Sequence, residues 1–352
     1  MKFEESETII PTSTVGPIKI NYEGRGGQCS VPLATFETPL WASTKRGALV
    51  SQTASDGINL HVIDDVMTRS VILEAESLRD ALQCQSRIKD NEKNIADAVR
   101  KTGKFAILKS ISAENVGRLL YIRIGIETGN ASGHNMVTRA ADAVIDLILS
   151  ECKNMKYVSV SGNYCVDKKV SAINGILGRG KRASAELIVS RDTCRRILKT
   201  TPEKIIDLNV KKNLIGSTLA GGVRSANSHY ANAVLAVYLA TGQDAANIIE
   251  ASQGITFADR FGDDLYFSVN LPNIIVGTVG NGKNLPFAIK NLTQMGCFPE
   301  DPNSAKRLAA LIAAAVLCSE LSLMAALTNP GELMQSHLRL ERGKIDCGAS
   351  RN

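Results

Sequence analysis

A chain of 352 residues, 44% of them apolar, is long enough for two domains or one large one and can bury a sizeable core. Its net charge of +6 is a mild excess, not the dense basic run of a dedicated nucleic-acid binder, and it suits an anionic small-molecule substrate. The eight cysteines, at positions 29, 84, 152, 165, 194, 297, 318 and 347, form no Cys-x-x-Cys pair, so a zinc or dithiol site has no support and no metal is expected.

The opening residues Met1–Glu7 lack the apolar core of a signal peptide, and reduced thiols in a cytoplasmic setting are expected. Up to about residue 70 the chain mixes strand-like runs with glycine-rich turns such as Gly24–Gly27. Next come alternating patterns: a strand over Ser70–Glu74, helices over Ala75–Leu82 and Asp90–Lys101, strands over Lys104–Ile111 and Leu119–Glu127, a helix over His134–Cys152 and a strand over Lys156–Val160. After Lys168 the pattern turns helix-rich, with helices expected over Thr193–Thr200, Thr201–Leu208, Gly216–Thr241 and Ala305–Leu327. The last of these is the most apolar, but it carries Glu320 and reads as a buried helix, not a membrane span. Residues 346–352 read as a disordered tail.

The most informative string is Ser161-Gly162-Asn163-Tyr164-Cys165-Val166-Asp167-Lys168-Lys169. A β-rich run, Tyr157–Val160, ends there in a turn that presents a lysine, the compact cation that stabilises an oxyanion. By itself, Asp-Lys-Lys is more often a solvated basic loop. Gly175-Ile-Leu-Gly-Arg-Gly-Lys181-Arg182 approaches a phosphate loop but has arginine where the magnesium-binding Ser or Thr belongs. No complete Gly-x-Gly-x-x-Gly stands at a strand-to-helix junction, so a standard Rossmann site has no support.

The full 161–169 string closely resembles the 3-hydroxy-3-methylglutaryl-CoA reductase family. So do, in order, Phe36–Thr44, Met67-Thr68-Arg69, Asn130–Met136, Lys211–Ser217, Ala240–Asp244, Gly277–Gly280, Glu320–Leu327 and Gln335-Ser336-His337. The resemblance covers roughly residues 10–345 and is nearest the family's class I branch. It implies an α+β fold. A large, helix-rich CoA-thioester domain (1–70 and 160–345) would be crossed by a long central helix at Gly216–Thr241. A small ferredoxin-like, non-Rossmann NADP-binding domain (71–159) would be inserted into it. It also implies a homodimer, or a tetramer of dimers, with the active site at the dimer interface, and no nucleic-acid or membrane partner.

Four residues carry over to catalytic positions: Glu37, Lys168, Asp244 and His337. Lys168 would stabilise the thioester oxyanion, and protonated His337 would supply a proton to the departing CoA thiolate. Glu37, kept protonated by burial near other acids, would protonate the aldehyde oxygen. Asp244 would bridge Lys168 and Glu37. Each has a structural alternative: Glu37 as a turn acid, Asp244 as a helix cap, His337 as a packing residue. Arg69, Ser161, Asp167, Lys169 and Lys212 would surround the substrate carboxylate, with His229 and Asn232 nearby. Ser43, Thr44, Lys45, Arg46, Gly47, Ala48 and Leu49, with Ile197, Leu198 and Lys199, match CoA-contacting segments.

For the cofactor, Ser86, Arg87 and Ile88 resemble a family segment that would place Arg87 near a 2′-phosphate and favour NADPH, with NADH possible. Asn130, Ala131, Ser132, Gly133, His134, Asn135, Met136, Val137 and Thr138 match the cofactor loop opening a helix, whose N-terminus suits a pyrophosphate. Asn130 stands where the family usually has Asp, a lost charge that motivates an alternative reading as a non-catalytic CoA-thioester-binding paralogue. Reduction of another acyl-CoA is a further alternative. Gly343 replaces the regulatory serine of the animal branch.

Overall fold

The computed structural model describes residues 8–338, without the side chains of Ser336 and His337. The expected tail (346–352), Gly343 and Cys347 lie outside the described residues. In chain order the elements are β1 (Thr12–Tyr22), β2 (Arg25–Ala34), α1 (Pro39–Thr53), β3 (Ile58–Ala75), α2 (Leu78–Asp90), α3 (Glu92–Lys101), β4 (Ile107–Val116), β5 (Leu119–Glu127), α4 (His134–Glu151) and β6 (Met155–Ser159). They continue with α5 (Ala172–Leu177), β7 (Gly180–Val189), α6 (Arg191–Arg196), α7 (Pro202–Leu208), a π-helical stretch (Asn209–Gly216), α8 (Ser217–Leu219), β8 (Ser225–Ala226) and α9 (Tyr230–Ala240). A 3-10 turn (Ala245–Asn247), α10 (Ile248–Ala251), β9 (Gly254–Phe261), β10 (Asp264–Ile274), α11 (Pro286–Gln294), α12 (Ser304–Leu327) and α13 (Glu332–His337) complete the order.

The 18-residue β3 organises this mixed α+β fold. Its first half pairs in parallel with β1 and antiparallel with β7, within the order β2-β1-β3-β7-β10-β9-β8. Its second half, from Met67, pairs antiparallel with β5 and β6, giving the local order β4-β5-β3-β6. Each half faces a separate apolar core. The first is built by β1, β2, β7 and β10 with α1, α9 and α12. The second is built by Val71 and Leu73 of β3, Ile122–Ile126 of β5, Val137–Ile148 of α4 and the inner faces of α2 and α3.

Two expectations fail. Gly216–Thr241 is not one helix: it breaks at Gly221, whose φ is +75°, passes through the short β8, and resumes as α9. Gly221-Gly222 and the polar run Arg224–His229 do not sustain helix, and Glu320 instead captures the backbone N–H groups of Ser228 (2.6 Å) and His229 (3.1 Å). The long central helix is α12, buried on nearly every side by β7, β10, α1 and α9, as a helix apolar all round must be. It is long and apolar enough to cross a membrane, but 94% of that window is buried inside the protein. It meets α1 at Gly47, where a Cβ would sit 2.0 Å from the Cys318 carbonyl oxygen. The segment after Lys168 also holds three long strands, β7, β9 and β10, whose buried Ala183, Ala185, Leu187 and Val189 alternate at strand period. Smaller boundary shifts follow local chemistry: Ser77 caps α2, so that helix starts at Leu78, after β3 has run on to Ala75.

Candidate active site

The loop after β6 is held in an unfavourable backbone. Asn163, Val166 and Lys168 all have positive φ (55°, 43° and 54°), which costs a β-branched residue such as Val166 most. Its bonds explain how it persists. Gly162 and Tyr164 donate backbone N–H groups to the Ser70 carbonyl (2.9 Å) and hydroxyl (2.8 Å). Asn174 Nδ2 donates to the Val166 carbonyl at 2.9 Å, and Lys168 N donates to Glu250 Oε1 at 3.1 Å. Glu250 and Arg179 are both fully buried, 2.8 Å apart, and Arg179 Nη2 reaches Asp167 Oδ1 at 3.0 Å. Burial pushes the Glu250 pKa up. A buried pair therefore fixes both the backbone of Lys168 and the side chain of its neighbour.

The outcome at the side chain is a 2.8 Å ion pair between Lys168 Nζ and Asp244 Oδ2. The Asp244 hydrogen bond raises the Lys168 pKa. Burial works to raise that of Asp244, but the Lys168 hydrogen bond and charge and the Ala246 N–H outweigh it and hold it low. Asp244 also caps the 3-10 turn through Ala246 N, so its capping and site roles coexist. The pair lines a cavity of about 780 Å³ with Arg69, Asp167, the Ala131–Met136 segment, Thr138, Gly242, Gln243 and the Val279–Lys283 loop. Arg69 faces Asp167 at 3.7 Å. His134, the first residue of α4, lies 4.0 Å from Asp167 and 3.3 Å from Asn247 Oδ1; burial pushes its pKa down. The 18-residue α4 points its N-terminus into this cavity behind Gly133, whose φ is +93°. An exposed helix N-terminus, small residues and basic side chains fit an anionic dinucleotide.

A second polar cluster sits at the opposite end of α9. Asn232 donates to Glu37 Oε2 at 2.8 Å, His229 Nδ1 meets Glu320 Oε2 at 3.0 Å, and Lys212 Nζ donates to Ser228 Oγ at 3.0 Å. Burial lowers the Lys212 pKa. Asn232 is in the first turn of α9 and Asp244 follows its end, so the eleven-residue helix separates the clusters by about 16 Å. Within one chain Asp244 does not bridge to Glu37, and Glu37 is exposed, without the burial expected for it. His337 closes α13, whose first residue, Glu332, is tied to Arg46 at 2.6 Å.

Several expected contacts are placed elsewhere. Arg87 donates to the carbonyl of Glu151, at the far end of α4 from the cofactor loop, and Ile88 is a core residue, so Ser86, Arg87 and Ile88 are not near Asn130–Thr138 in this chain. Phe105, 58% exposed, instead flanks Gly129, with Lys104 Nζ 5.5 Å from its ring. The sequence offered a signal there: a lysine and an exposed aromatic directly after a helix. Asn130 faces away from the cavity. Its amide donates to the Asp301 carbonyl (2.6 Å), and its oxygen accepts from Ala305 N (3.1 Å) at the start of α12. A carboxylate cannot make that donation, so the Asn130 amide serves the fold and is no lost cavity charge. Thr44, Gly47, Ala48, Val137 and Leu198 are buried packing residues. Arg46 is occupied by Glu332 and Ser322, leaving Lys45 and Leu49 exposed on α1; Ser43 bonds Ser322, Ile197 is half-buried, and Lys199 is exposed. Ser161 and Lys169 are exposed outside the cavity lining. Arg179, Glu250 and Lys283 were missed, since nothing local marks a buried charge. Among the described residues no cluster of His, Cys, Asp and Glu has metal-site geometry.

The hydroxymethylglutaryl-coenzyme A reductase family model matches residues 6–342. The chain is 41% identical over 338 residues to the 3-hydroxy-3-methylglutaryl-coenzyme A reductase of Pyrococcus abyssi, covering 95% of this chain and 82% of that one. It is 42% identical over 340 residues to that of Methanocaldococcus jannaschii, with the same coverages. Its fold resembles the class II reductase of Streptococcus pneumoniae, solved bound to NADPH in open conformations, with a TM-score of 0.73, 18% identity, and 92% and 86% of the two chains covered.

Proposed function

The chain belongs to the hydroxymethylglutaryl-coenzyme A reductase family and is an oxidoreductase of the mevalonate route to isoprenoids, and from that premise we propose that it reduces (S)-3-hydroxy-3-methylglutaryl-CoA to mevalonate and CoA in two steps, using NADPH. The observation that carries this reading is the Lys168–Asp244 pair on the wall of the cavity that α4 enters. NADPH, when bound along the Ala131–Thr138 segment, supplies hydride in both steps. Lys168, kept cationic by Asp244, is aimed at an oxygen that turns anionic as the thioester, and then the aldehyde, is reduced. Arg69 offers the substrate carboxylate a planar fork. His337 protonates the departing thiolate, and Glu37 delivers a proton to the aldehyde oxygen.

Because Glu37 and Lys168 belong to opposite ends of α9, the complete site pairs the Glu37 cluster of one chain with the Lys168 cluster of another. A homodimer or a higher assembly of dimers is therefore part of the proposal. Residues 71–159 are read as the inserted cofactor domain: β3, α2 with α3, β4, β5, α4 and β6 follow a ferredoxin-like βαββαβ order with antiparallel pairs, unlike a parallel Rossmann sheet. Residues 1–70 and 160–345 are read as the thioester domain, and the cytoplasm as the location. The bonds of the Asn130 amide to Asp301 and Ala305 weigh against a non-catalytic paralogue. The test is absorbance at 340 nm with the thioester and each nicotinamide cofactor. Two NADPH oxidised per CoA released is expected; no thioester-dependent oxidation of either cofactor overturns the proposal.

A further inference from the structure

Lys283 has no part in the chemistry above, and its position is unusual for a lysine. It is 8% exposed, it lines the cavity, and among the described residues its side chain makes one hydrogen bond, from Nζ to the Asn281 carbonyl at 3.1 Å. The other cavity cations are matched by acids: Arg69 by Asp167, and Lys168 by Asp244. Among the described residues Lys283 has no carboxylate within ion-pair distance, so one ammonium with two unused donors remains in excess. Burying a cation without a counterion is costly, and burial accordingly pushes its pKa down, with Asp244 opposing more weakly.

The backbone holds this lysine beside α4. Thr278 N donates to the Asn130 carbonyl at 2.8 Å, and Ala131 and Val279 form a β-bridge. A Cβ on Gly277 would lie 2.5 Å from Ser132 N, and one on Gly282 would lie 2.3 Å from the Gly242 carbonyl oxygen, so the loop is pressed between the α4 approach and the Asp244 turn. Gly280, at φ +98°, has open space where a side chain would be. One wall of the cavity therefore carries a helix N-terminus and an unmatched ammonium, with clear access between them.

We propose that Lys283 is a binding residue for the diphosphate bridge of the dinucleotide, holding it together with the neighbouring α4 N-terminus. This rests on the reductase reading and adds to it a charge that none of the sequence motifs contains. The diphosphate supplies the counterion that Lys283 lacks, and Lys283 offsets the second of its two charges after the helix terminus.

The test is a fluorescence titration of reduced dinucleotides against the full chain, without thioester, comparing wild type with Lys283→Met and Lys283→Arg. Lys283→Met is expected to weaken NADPH and NADH by the same factor, about tenfold or more for a lost charge-assisted bond. It should also flatten the salt dependence of binding. Lys283→Arg should retain most of the affinity, and an unchanged melting temperature separates binding from folding. Loss confined to NADPH would put Lys283 at the 2′-phosphate and overturn the diphosphate assignment. Unchanged affinity in a folded Lys283→Met variant overturns any binding role while leaving the reductase reading intact. A wild type that binds neither dinucleotide overturns both.

Discussion

The two ends of α9 carry polar clusters of opposite character. At its C-terminal end, Lys168 and Asp244 are paired, backed by the buried Arg179–Glu250 pair, and enclosed in a cavity. At its N-terminal end, Glu37 is exposed and among the described residues its carboxylate is held by Asn232 alone, while the buried acid there, Glu320, is spent on the backbone of Ser228 and His229. One cluster is preorganised within the chain, and the other, where the proposal puts a proton donor, lacks the burial that a protonated carboxyl needs. Electrostatic catalysis needs fixed charges before the substrate arrives, whereas a proton donor can be completed on assembly.

The sharpest way to break this comparison is to disable each end separately. Lys168→Met should reduce turnover by about 10²–10³-fold or more, and Glu37→Gln should also abolish it. Mixing and reassembling the two inactive variants should restore roughly a quarter of wild-type activity if each site draws on two chains, since half of randomly paired dimers retain one intact site. No recovery from a reassembled mixture would mean that both residues act within one chain. Next, His337→Gln should slow thioester reduction by about 10²–10⁴-fold while sparing reduction of free mevaldehyde, which expels no thiolate. Equal loss on both substrates would make His337 a packing residue.

Arg179→Met probes the backing of the preorganised end. It strands Glu250 in the core, and removing one partner of a buried pair costs about 3–5 kcal/mol, read as a lowered denaturant midpoint. Because the same pair fixes the Lys168 backbone, the residual folded enzyme should lose kcat more than KM; loss of stability alone would limit the pair to a structural role. The pH response should be smaller. Asp244 has a lowered pKa, so its share of the ion pair is complete above about 3.9 and fades as pH falls through the lowered value. Lys168 has a raised pKa, so its share is complete below about 10.4 and fades only as pH rises through the raised value. Turnover between about pH 6 and 9 should therefore show no titration of Lys168, and an alkaline limb that Lys168→Arg shifts upward would contradict this. Smallest of all, Arg87→Ala should leave the NADPH-to-NADH preference unchanged, since Arg87 is tied to the distant end of α4, whereas Phe105→Ala should weaken dinucleotide binding measurably by titration.

Elements with a clean period were readable from the chain. Leu119–Glu127 has strand alternation and His134–Cys152 a helical stripe, and β5 and α4 appear within a residue of those bounds. Gly216–Thr241 misled because its apolar residues fit a helix while the carboxylate that unwinds its middle, Glu320, lies about ninety residues downstream. The place of Ser86–Ile88 was hidden for a related reason: only packing shows that Ile88 is interior and that Arg87 meets Glu151 at the end of α4.

The sequence alone determined the family and the candidate catalytic side chains, because ordered blocks such as Asn163–Lys169 and Ala240–Asp244 carry the resemblance. The tertiary structure alone decided which of them meet. Lys168 reaches Asp244 but not Glu37, Asn130 turns from the cavity to α12, and Arg179, Glu250 and Lys283 emerge as buried charges. The reason is physical: the effect of a charge depends on its burial and its partners, and both are set by residues distant in the chain.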